Sequence, residues 1–246
     1  MNKASIPNTL VVGASHSLQY LNLPLSRALS RYSSIACWDY QQALDEPCCL
    51  DTAIILLHDY LKSRQDPVHL IGHGLGGILA QMYAQVHPER VKSLVLLSVS
   101  PQPGLTWHTH YYVQRKLIPC SRSQLLTHTA KILAGRPLCR FQLQCLSEGL
   151  ENDLDSSPNP HSLLNIAILT ESRLIVPTLI CLGGEDPVVD PSIQVIWQDY
   201  LRPVDRLWCD PKGSHFFHYF DYQSVAEQIL SFWKSANLEK AARVCV

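Results

Sequence analysis

The feature that most constrains this chain is a glycine-rich turn that joins an apolar run to a helix-forming run. Residues 68–77 read Val-His-Leu-Ile-Gly-His-Gly-Leu-Gly-Gly, and the helix-compatible run 78–87 follows and stops at Pro88. A short apolar run that enters glycines predicts a strand and a sharp turn, since glycine accepts backbone conformations that other residues avoid. Gly76 and Gly77 are small, so the helix can lie close to the strand that it has just left. The stretch therefore predicts a strand, a tight turn and a helix.

Strand-like and helix-like runs alternate through most of the chain. Further runs with strand character are 9–12, 34–39, 93–98, 177–183 and 206–209. Helical patterns fall between or after them, at 24–32, 50–61 and 224–234. This alternation predicts an α/β fold with a mostly parallel sheet and helices on both faces. At 246 residues the chain is long enough for one such unit, so we expect a single domain over 1–246.

The alternation breaks at residues 101–104, Pro-Gln-Pro-Gly, and resumes near residue 175. Helix-compatible stretches lie between these points, which predicts a helical insertion over 103–172. Up to Leu150 the insertion holds one acid, Glu148, and a larger set of cations: Arg115, Lys116, Arg122, Lys131, Arg136 and Arg140. This charge indicates either a solvated helical face or a positive surface that meets an anionic ligand or a protein partner.

Composition excludes several classes of protein. The formal net charge of −1 argues against a nucleic-acid-binding surface, which needs a clear basic excess. No apolar run reaches the ~20 residues that a membrane span needs. Residues 1–7 lack the apolar segment of a secretory signal, so we expect a cytoplasmic protein.

The cysteines are odd in number, nine in all, and form no Cys-x-x-Cys pair. This pattern argues against a zinc site and against a disulfide framework. Cys181 lies in an apolar run, and we expect most cysteines to be reduced residues of the core. The adjacent pair Cys48 and Cys49 leaves redox activity as an alternative. We expect neither a metal nor a cofactor.

Four motifs in the chain resemble those of the α/β-hydrolase fold family. They are Gly-His-Gly-Leu-Gly-Gly at 72–77, Ala-x-x-His-Pro-Glu-Arg-Val at 84–91, Gly-Gly-Glu-Asp at 183–186 and Gly-Ser-His-Phe at 213–216. Their order matches the family's order of nucleophile, acid and histidine. The resemblance covers residues 10–233 and implies about six mostly parallel strands with flanking helices and the insertion as a helical cap. Only some eight residues precede the first strand, so we expect the family's usual leading hairpin to be missing.

The resemblance also implies the residues of a site. Asp186 stands where the family has its catalytic acid and His215 where it has its histidine. Backbone N–H groups of Leu75 and of Ala14 or Ser15 would hold the oxyanion. The family's nucleophile elbow reads Gly-x-Ser-x-Gly, and here Gly74 takes the place of the serine.

A glycine cannot attack a substrate, so ordinary acyl-enzyme chemistry at position 74 is excluded. We expect a hydrolase-like protein that binds a small apolar or ester-like ligand, or a protein partner, without catalysis. The alternative is a hydrolase or lyase in which Asp186 and His215 activate water or abstract a proton. A relocated nucleophile, Ser98 or Ser100 at the end of the neighbouring strand, also stays open.

Two further patterns have rival interpretations. Gly-His-Gly-Leu-Gly-Gly fits the dinucleotide-binding fingerprint too, but the next strand ends in Leu-Ser-Val-Ser without the acid that binds the ribose. His108 and His110 would share one face of an extended segment but not of a helix. They suggest packing of the cap or lining of a pocket in preference to metal binding. His73, just before the elbow position, is expected to point away into packing.

Overall fold

The computed structural model describes residues 7–41, 49–101, 104–157 and 175–244, with side chains described up to residue 236. The strands are β1 (Thr9–Gly13), β2 (Ile35–Asp39), β3 (Val68–His73), β4 (Val91–Leu97), β5 (Thr178–Gly183) and β6 (Arg206–Asp210). They form one sheet in the order β2-β1-β3-β4-β5-β6, and each neighbouring pair is parallel. The predicted α/β class with six parallel strands is confirmed.

Helices connect the strands and cover both faces of the sheet. The α-helices are α1 (Leu23–Leu29), α2 (Leu50–Leu61), α3 (Gly74–Val86), α4 (Trp107–Leu117), α5 (Arg122–Ala134), α6 (Arg140–Ser156), α7 (Ile193–Tyr200), α8 (Phe217–Phe220) and α9 (Tyr222–Val244). Short 3₁₀ turns span His16–Asn22 and Pro88–Arg90. In the described ranges, no helix is long and apolar enough to cross a bilayer.

The core has two halves because successive strand residues point to opposite faces of the sheet. Leu70 and Leu94 belong to the larger cluster, which includes buried residues of α2, α3 and the cap helices. Ile71 and Val95 belong to the second cluster, where residues of α1 and α9 cover the other face. Each central strand is therefore apolar on both sides, as buried parallel strands are.

Helix α3 lies unusually close to the sheet, as its small residues predict. A Cβ atom at Gly76 would lie 2.4 Å from the carbonyl oxygen of Val12, and one at Gly77 would lie 2.8 Å from that of Gly72. Larger side chains would therefore push the helix off β1 and β3. These glycines are explained by backbone packing alone, and no phosphate-binding role is needed to account for them.

Three elements begin or end at residues other than those predicted. Strand β3 continues two residues beyond the predicted end, to His73, and carries the chain directly into α3. Strand β4 ends at Leu97, because Ser98 has a φ of +48° that strand geometry does not accept. The last helix starts at Tyr222 and runs to Val244, well past the predicted end.

The insertion between β4 and β5 is helical in its described part. Helices α4, α5 and α6 fall inside the predicted cap, and α5 contacts α6 along its length. Ser17 donates to the carbonyl of Gly149 and Ser214 to that of Ala134, so hydrogen bonds join the cap to the rest of the fold. Residues 103 and 158–172 of the predicted cap lie outside the described residues. The limits of the cap and the single-domain assignment stay predictions.

The described cysteines are free thiols, but the expectation that most lie in the core is wrong. Cys181 on β5 is buried, and burial raises its pKa. Cys37 and Cys139 are exposed, since β2 is an edge strand and Cys139 caps the start of α6. The remaining described cysteines are half-buried. Cys48 lies outside the described residues, so redox activity of the pair Cys48 and Cys49 stays a prediction.

Candidate functional site

Gly74 forms the sharp turn between β3 and α3. Its φ is +50°, a conformation that L residues rarely adopt, and a Cβ atom built there would meet no other atom within 4 Å. This separates Gly74 from Gly76 and Gly77, whose places leave no room for a side chain. A strained strand-to-helix turn with open space beside it is the backbone geometry of a nucleophile elbow.

Asp186 and His215 are brought together from the loops after β5 and β6. The Nδ1 atom of His215 lies 3.0 Å and 3.1 Å from the two carboxylate oxygens of Asp186, and both side chains are buried. A carboxylate can only accept, so Nδ1 carries the hydrogen and Nε2 holds the free electron pair. Within the described ranges, Nε2 has no hydrogen-bond partner. The arrangement leaves a base at Nε2.

The Asp186 carboxylate is held in its charged form. Burial alone would raise the pKa of Asp186, but contact with His215 and two backbone N–H donors outweigh burial and lower it. The donors are the amides of Val188 and Val189, at 2.8 Å and 3.1 Å from Oδ1. A charged Asp186 can fix the tautomer of His215 and stabilise the imidazolium that forms when Nε2 takes a proton.

One cavity gathers most of the predicted site. Ala14, Ser15, Gly74, Leu75 and His215 all line it, while Asp186 reaches it only through His215. The complete lining is Val12, Gly13, Ala14, Ser15, Leu18, Leu21, Asn22, His73, Gly74, Leu75, Gly76, Ser98, Leu105, Thr106, Trp107, His108, His215, Phe216 and His218. The carboxyl ends of β1, β3 and β4 therefore form its floor, and the start of α4 forms its roof.

The first turn of α3 presents backbone donors to this cavity. Its N-cap residue, His73, makes no side-chain cap hydrogen bond, and the helix has no acidic residue in its first turn. The first N–H groups of a helix have no partner within it and carry the positive end of its dipole. The amide of Leu75 is among them, so this end of the cavity suits a carbonyl oxygen or a carboxylate.

His73 is packed, as expected, but it does not point away from the site. Its ring lies against His215 and His218, with ring centroids 4.8 Å and 4.2 Å away, and it lines the cavity. Its Nε2 atom donates to the carbonyl of His215 at 3.0 Å. Desolvation, together with the nearby His215, lowers the pKa of His73 to about 3, so the ring is neutral. In the sequence, the only sign of these contacts was a histidine without an assigned role in the motif 72–77.

Ser98 lines the cavity, but its hydroxyl is engaged. Its Oγ atom donates to the carbonyl of His215 at 3.0 Å, so Ser98 and His73 fix the same carbonyl from neighbouring strands. Ser100 is buried and is not part of the cavity lining. Of the two serines considered as relocated nucleophiles, only Ser98 therefore lines the cavity, and its hydroxyl holds the backbone of His215 in place.

His218 is a cavity residue that the sequence did not single out. It is buried on α8, and neither of its ring nitrogens has a hydrogen-bond partner in the described part of the chain. Burial, followed by the neighbouring His73 and His215, holds its pKa well below the ordinary value. Phe217, the residue before it, packs in the second core cluster with residues of α9.

His108 and His110 lie on a helix, and two helical residues at this spacing do not share a face. Both belong to α4, but they face different surroundings. His108 is buried and lines the cavity, with Nε2 3.1 Å from a carboxylate oxygen of Asp153. His110 contacts the side chain of Gln114 at 2.8 Å and is not part of the lining.

The positive charge of the cap is partly neutralised. Arg122 forms ion pairs with Glu151 and Asp155, which lie just beyond the stretch whose charge was counted from the sequence. Arg136 pairs with Asp221 outside the cap. The described cap is therefore less basic as a surface than its sequence up to Leu150 suggests.

Potential metal ligands do not converge. In the ranges that the structure describes, no group of three His, Cys, Asp or Glu side chains could hold a metal ion.

Known proteins share this architecture. A sequence profile described as alpha/beta hydrolase fold matches residues 61–148. The uncharacterized protein alr2406 of Nostoc sp. is 38% identical over 232 residues, which cover 94% of this chain and 92% of that protein. A pimeloyl-(acyl-carrier protein) methyl ester esterase of Chromobacterium violaceum is 28% identical over 165 residues, or 61% of this chain and 63% of the esterase.

A solved structure extends the likeness to the whole fold. Naproxen esterase (carboxylesterase NP) from Bacillus subtilis superposes with a TM-score of 0.71 at 17% identity, covering 94% of this chain and 84% of the esterase. At that identity the likeness concerns the fold alone. The sheet order, the order of the motifs and the sequence profile agree with this fold. The chain belongs to the α/β-hydrolase fold family.

Proposed function

We propose that this protein binds a small carbonyl-containing, ester-like ligand in the cavity above Gly74 and forms no acyl-enzyme with it. The observation that carries the proposal is the elbow geometry of Gly74. Its φ is +50°, its Cβ direction is empty, and it lines one cavity with His215. Gly74 thus takes the nucleophile's position and leaves out the attacking atom.

The missing hydroxyl decides against covalent catalysis. Removing the nucleophile from a serine-hydrolase triad costs roughly a million-fold in turnover, and the remainder comes from binding and the oxyanion hole. Ser98 does not replace it, because its hydroxyl donates to the His215 carbonyl. What remains is a cavity that can bind a ligand and that is lined by a base, Nε2 of His215.

The lining suits an ester-like ligand with an apolar part. Backbone N–H groups at Leu75 and at Ala14 or Ser15 can hold a carbonyl oxygen, by resemblance to the family's oxyanion hole. Leu18 and Leu21 line the same cavity and contribute apolar surface. The relative from Chromobacterium violaceum acts on a methyl ester, which agrees with this class of ligand.

A second candidate function is direct hydrolysis by activated water. The aligned contact between His215 and Asp186 favours it, since a binding site has no need of that pair. Water in the space beside Gly74 would give a proton to Nε2 of His215 and attack the ester carbonyl. The oxyanion would form at the Leu75 amide. The intermediate would then expel the alcohol, which takes the proton back from His215, leaving the free acid.

A protein partner at the cap is a further possibility. The basic residues of α4, Arg115 and Lys116, are exposed and could meet an acidic surface. Their neighbours Arg122 and Arg136 are engaged in ion pairs. The cavity therefore supports a small ligand better than the cap supports a partner.

Gly74→Ser tests the proposal. The wild-type chain should show no labelling by a fluorophosphonate, while Gly74→Ser should become labelled and should hydrolyse p-nitrophenyl butyrate slowly. Gly104→Ser is the matched control, because a Cβ at Gly104 also meets no atom within 4 Å, but this exposed glycine is not on the elbow. It should remain unlabelled.

The outcomes separate the two candidate functions. Fluorophosphonate labelling of the wild-type chain, or none in a folded Gly74→Ser variant, would refute the proposed role of Gly74. Wild-type turnover of p-nitrophenyl butyrate without a burst, abolished by His215→Ala at unchanged stability, would support water activation over binding alone.

A further inference from the structure

The cavity has a further buried histidine, which comes from the cap. His108 lies in the first turn of α4 and is only 3% exposed, yet it lines the cavity. Neither of its ring nitrogens has a hydrogen-bond partner in the described part of the chain. A buried polar group without a partner is unfavourable, so such groups in native proteins call for a specific explanation.

Asp153 does not supply that partner. Its Oδ2 atom lies 3.1 Å from Nε2 of His108, but the contact lacks the alignment of a hydrogen bond. The carboxylate also accepts from the indole N–H of Trp107 at 2.9 Å and from the hydroxyl of Ser157, and these bonds fix its position. The Trp107 ring also packs on the imidazole, with centroids 4.3 Å apart. His108 is thus held in place by its neighbours while its hydrogen-bonding capacity stays unused.

We infer that His108 binds a hydroxyl group of the ligand, which makes the ligand a hydroxy acid or an ester of one. A neutral imidazole has one donor and one acceptor nitrogen, and a hydroxyl group can serve either. The inference deepens the proposed function and rests on it, because the carbonyl of the same ligand would lie at the Leu75 amide. His108 would then contact the hydroxyl group of the ligand, away from its carbonyl.

Other occupants fit less well. A metal ion lacks a converging set of ligands in the described ranges. A wholly apolar ligand would cover His108 and leave its nitrogens unpaired, which costs affinity. His218 also lines the cavity and is likewise buried without a hydrogen-bond partner among the described residues. A ligand with a polar group beyond its carbonyl can form hydrogen bonds with these histidines.

The test compares matched ligands that differ by one hydroxyl. Butyrate and 2-, 3- and 4-hydroxybutyrate are titrated into the full chain by calorimetry, with their ethyl esters as a second set. We expect at least one hydroxy acid to bind the wild-type chain about tenfold more tightly than butyrate, as for one buried hydrogen bond. His108→Phe should remove that preference and leave butyrate affinity within a few-fold.

Two further variants distinguish ligand binding from a structural role. His128→Phe changes an exposed cap histidine and should keep the tenfold preference. His108→Asn keeps a polar atom near the place of Nδ1 and should restore part of the preference lost in His108→Phe. Binding of butyrate without any preference for a hydroxyl, or a preference that survives in His108→Phe, overturns the inference. If none of the acids or esters binds the wild-type chain, the proposed function itself fails.

Discussion

Two histidine–aspartate pairs border one cavity, and they differ in how the pair is built. In the pair below the cavity, both oxygens of Asp186 lie within hydrogen-bonding distance of Nδ1 of His215. In the cap pair, His108 lies 3.1 Å from Asp153 but out of alignment. The distances are nearly equal, so distance alone does not distinguish them.

The difference lies in what else each carboxylate does. Asp186 accepts from the amides of Val188 and Val189, which come from its own loop and leave its face toward His215 open. Asp153 accepts hydrogen bonds from Trp107 and Ser157, which both belong to the cap, so these bonds hold parts of the cap together. The first pair has the geometry to move a proton, whereas the second positions a ring.

The largest expected effect comes from making the same substitution in both pairs. In the Gly74→Ser background, Asp186→Asn should reduce kcat for p-nitrophenyl butyrate by up to about 10⁴-fold, because the amide favours the wrong tautomer of His215. Asp153→Asn should leave kcat nearly unchanged. Steady-state kinetics at pH 7.5 checks both variants. Equal losses would mean that the two pairs act as one unit.

The second prediction concerns stability, for which Asp153 is expected to matter more than it does for kcat. Asp153→Ala leaves the buried indole N–H of Trp107 and the half-buried hydroxyl of Ser157 without this acceptor, so the free energy of unfolding should fall by about 3 kcal/mol. Asp155→Ala removes an exposed partner of Arg122 and should cost less than about 1 kcal/mol. Urea unfolding measures both. A small effect of Asp153→Ala would show that the cap pair is not structural.

The smallest expected effect is a change in the pH dependence of stability. His73 and His218 beside His215 have pKa values of about 3 and well below 6.5, so both stay neutral in the folded chain. The unfolded chain binds protons at these residues below about pH 6.5, which favours unfolding. Stability should therefore be complete above that pH and fall toward pH 3, by about 1.4 kcal/mol per pH unit for each histidine.

Urea midpoints between pH 7.5 and pH 5 measure this slope. His218→Phe removes one of the histidines with a lowered pKa and should make the slope shallower, while the exposed His128→Phe should leave it unchanged. A slope that does not respond to His218→Phe would show that another group causes the acid sensitivity.

Much of the fold could be predicted from the sequence because its signals are local. The apolar run 68–71, the glycines after it and Pro88 mark a strand, a turn and the end of a helix within one stretch. Asp186 and His215 follow strands that end at the same edge of a parallel sheet, so their order along the chain already predicted that they meet. The strand ends were less certain, as Ser98 shows, because a single backbone angle ends β4.

By itself, the sequence predicted the α/β fold, placed Gly74 at the turn between a strand and a helix, and placed Asp186 and His215 after later strands. Only the tertiary structure decided which side chains share the cavity. Helix α6 places Asp153 beside Trp107 and His108, and Arg136 meets Asp221 across the chain. Contacts of this kind depend on how helices pack against each other, and a hydrophobic pattern sets only which face packs, not which polar residues meet within it.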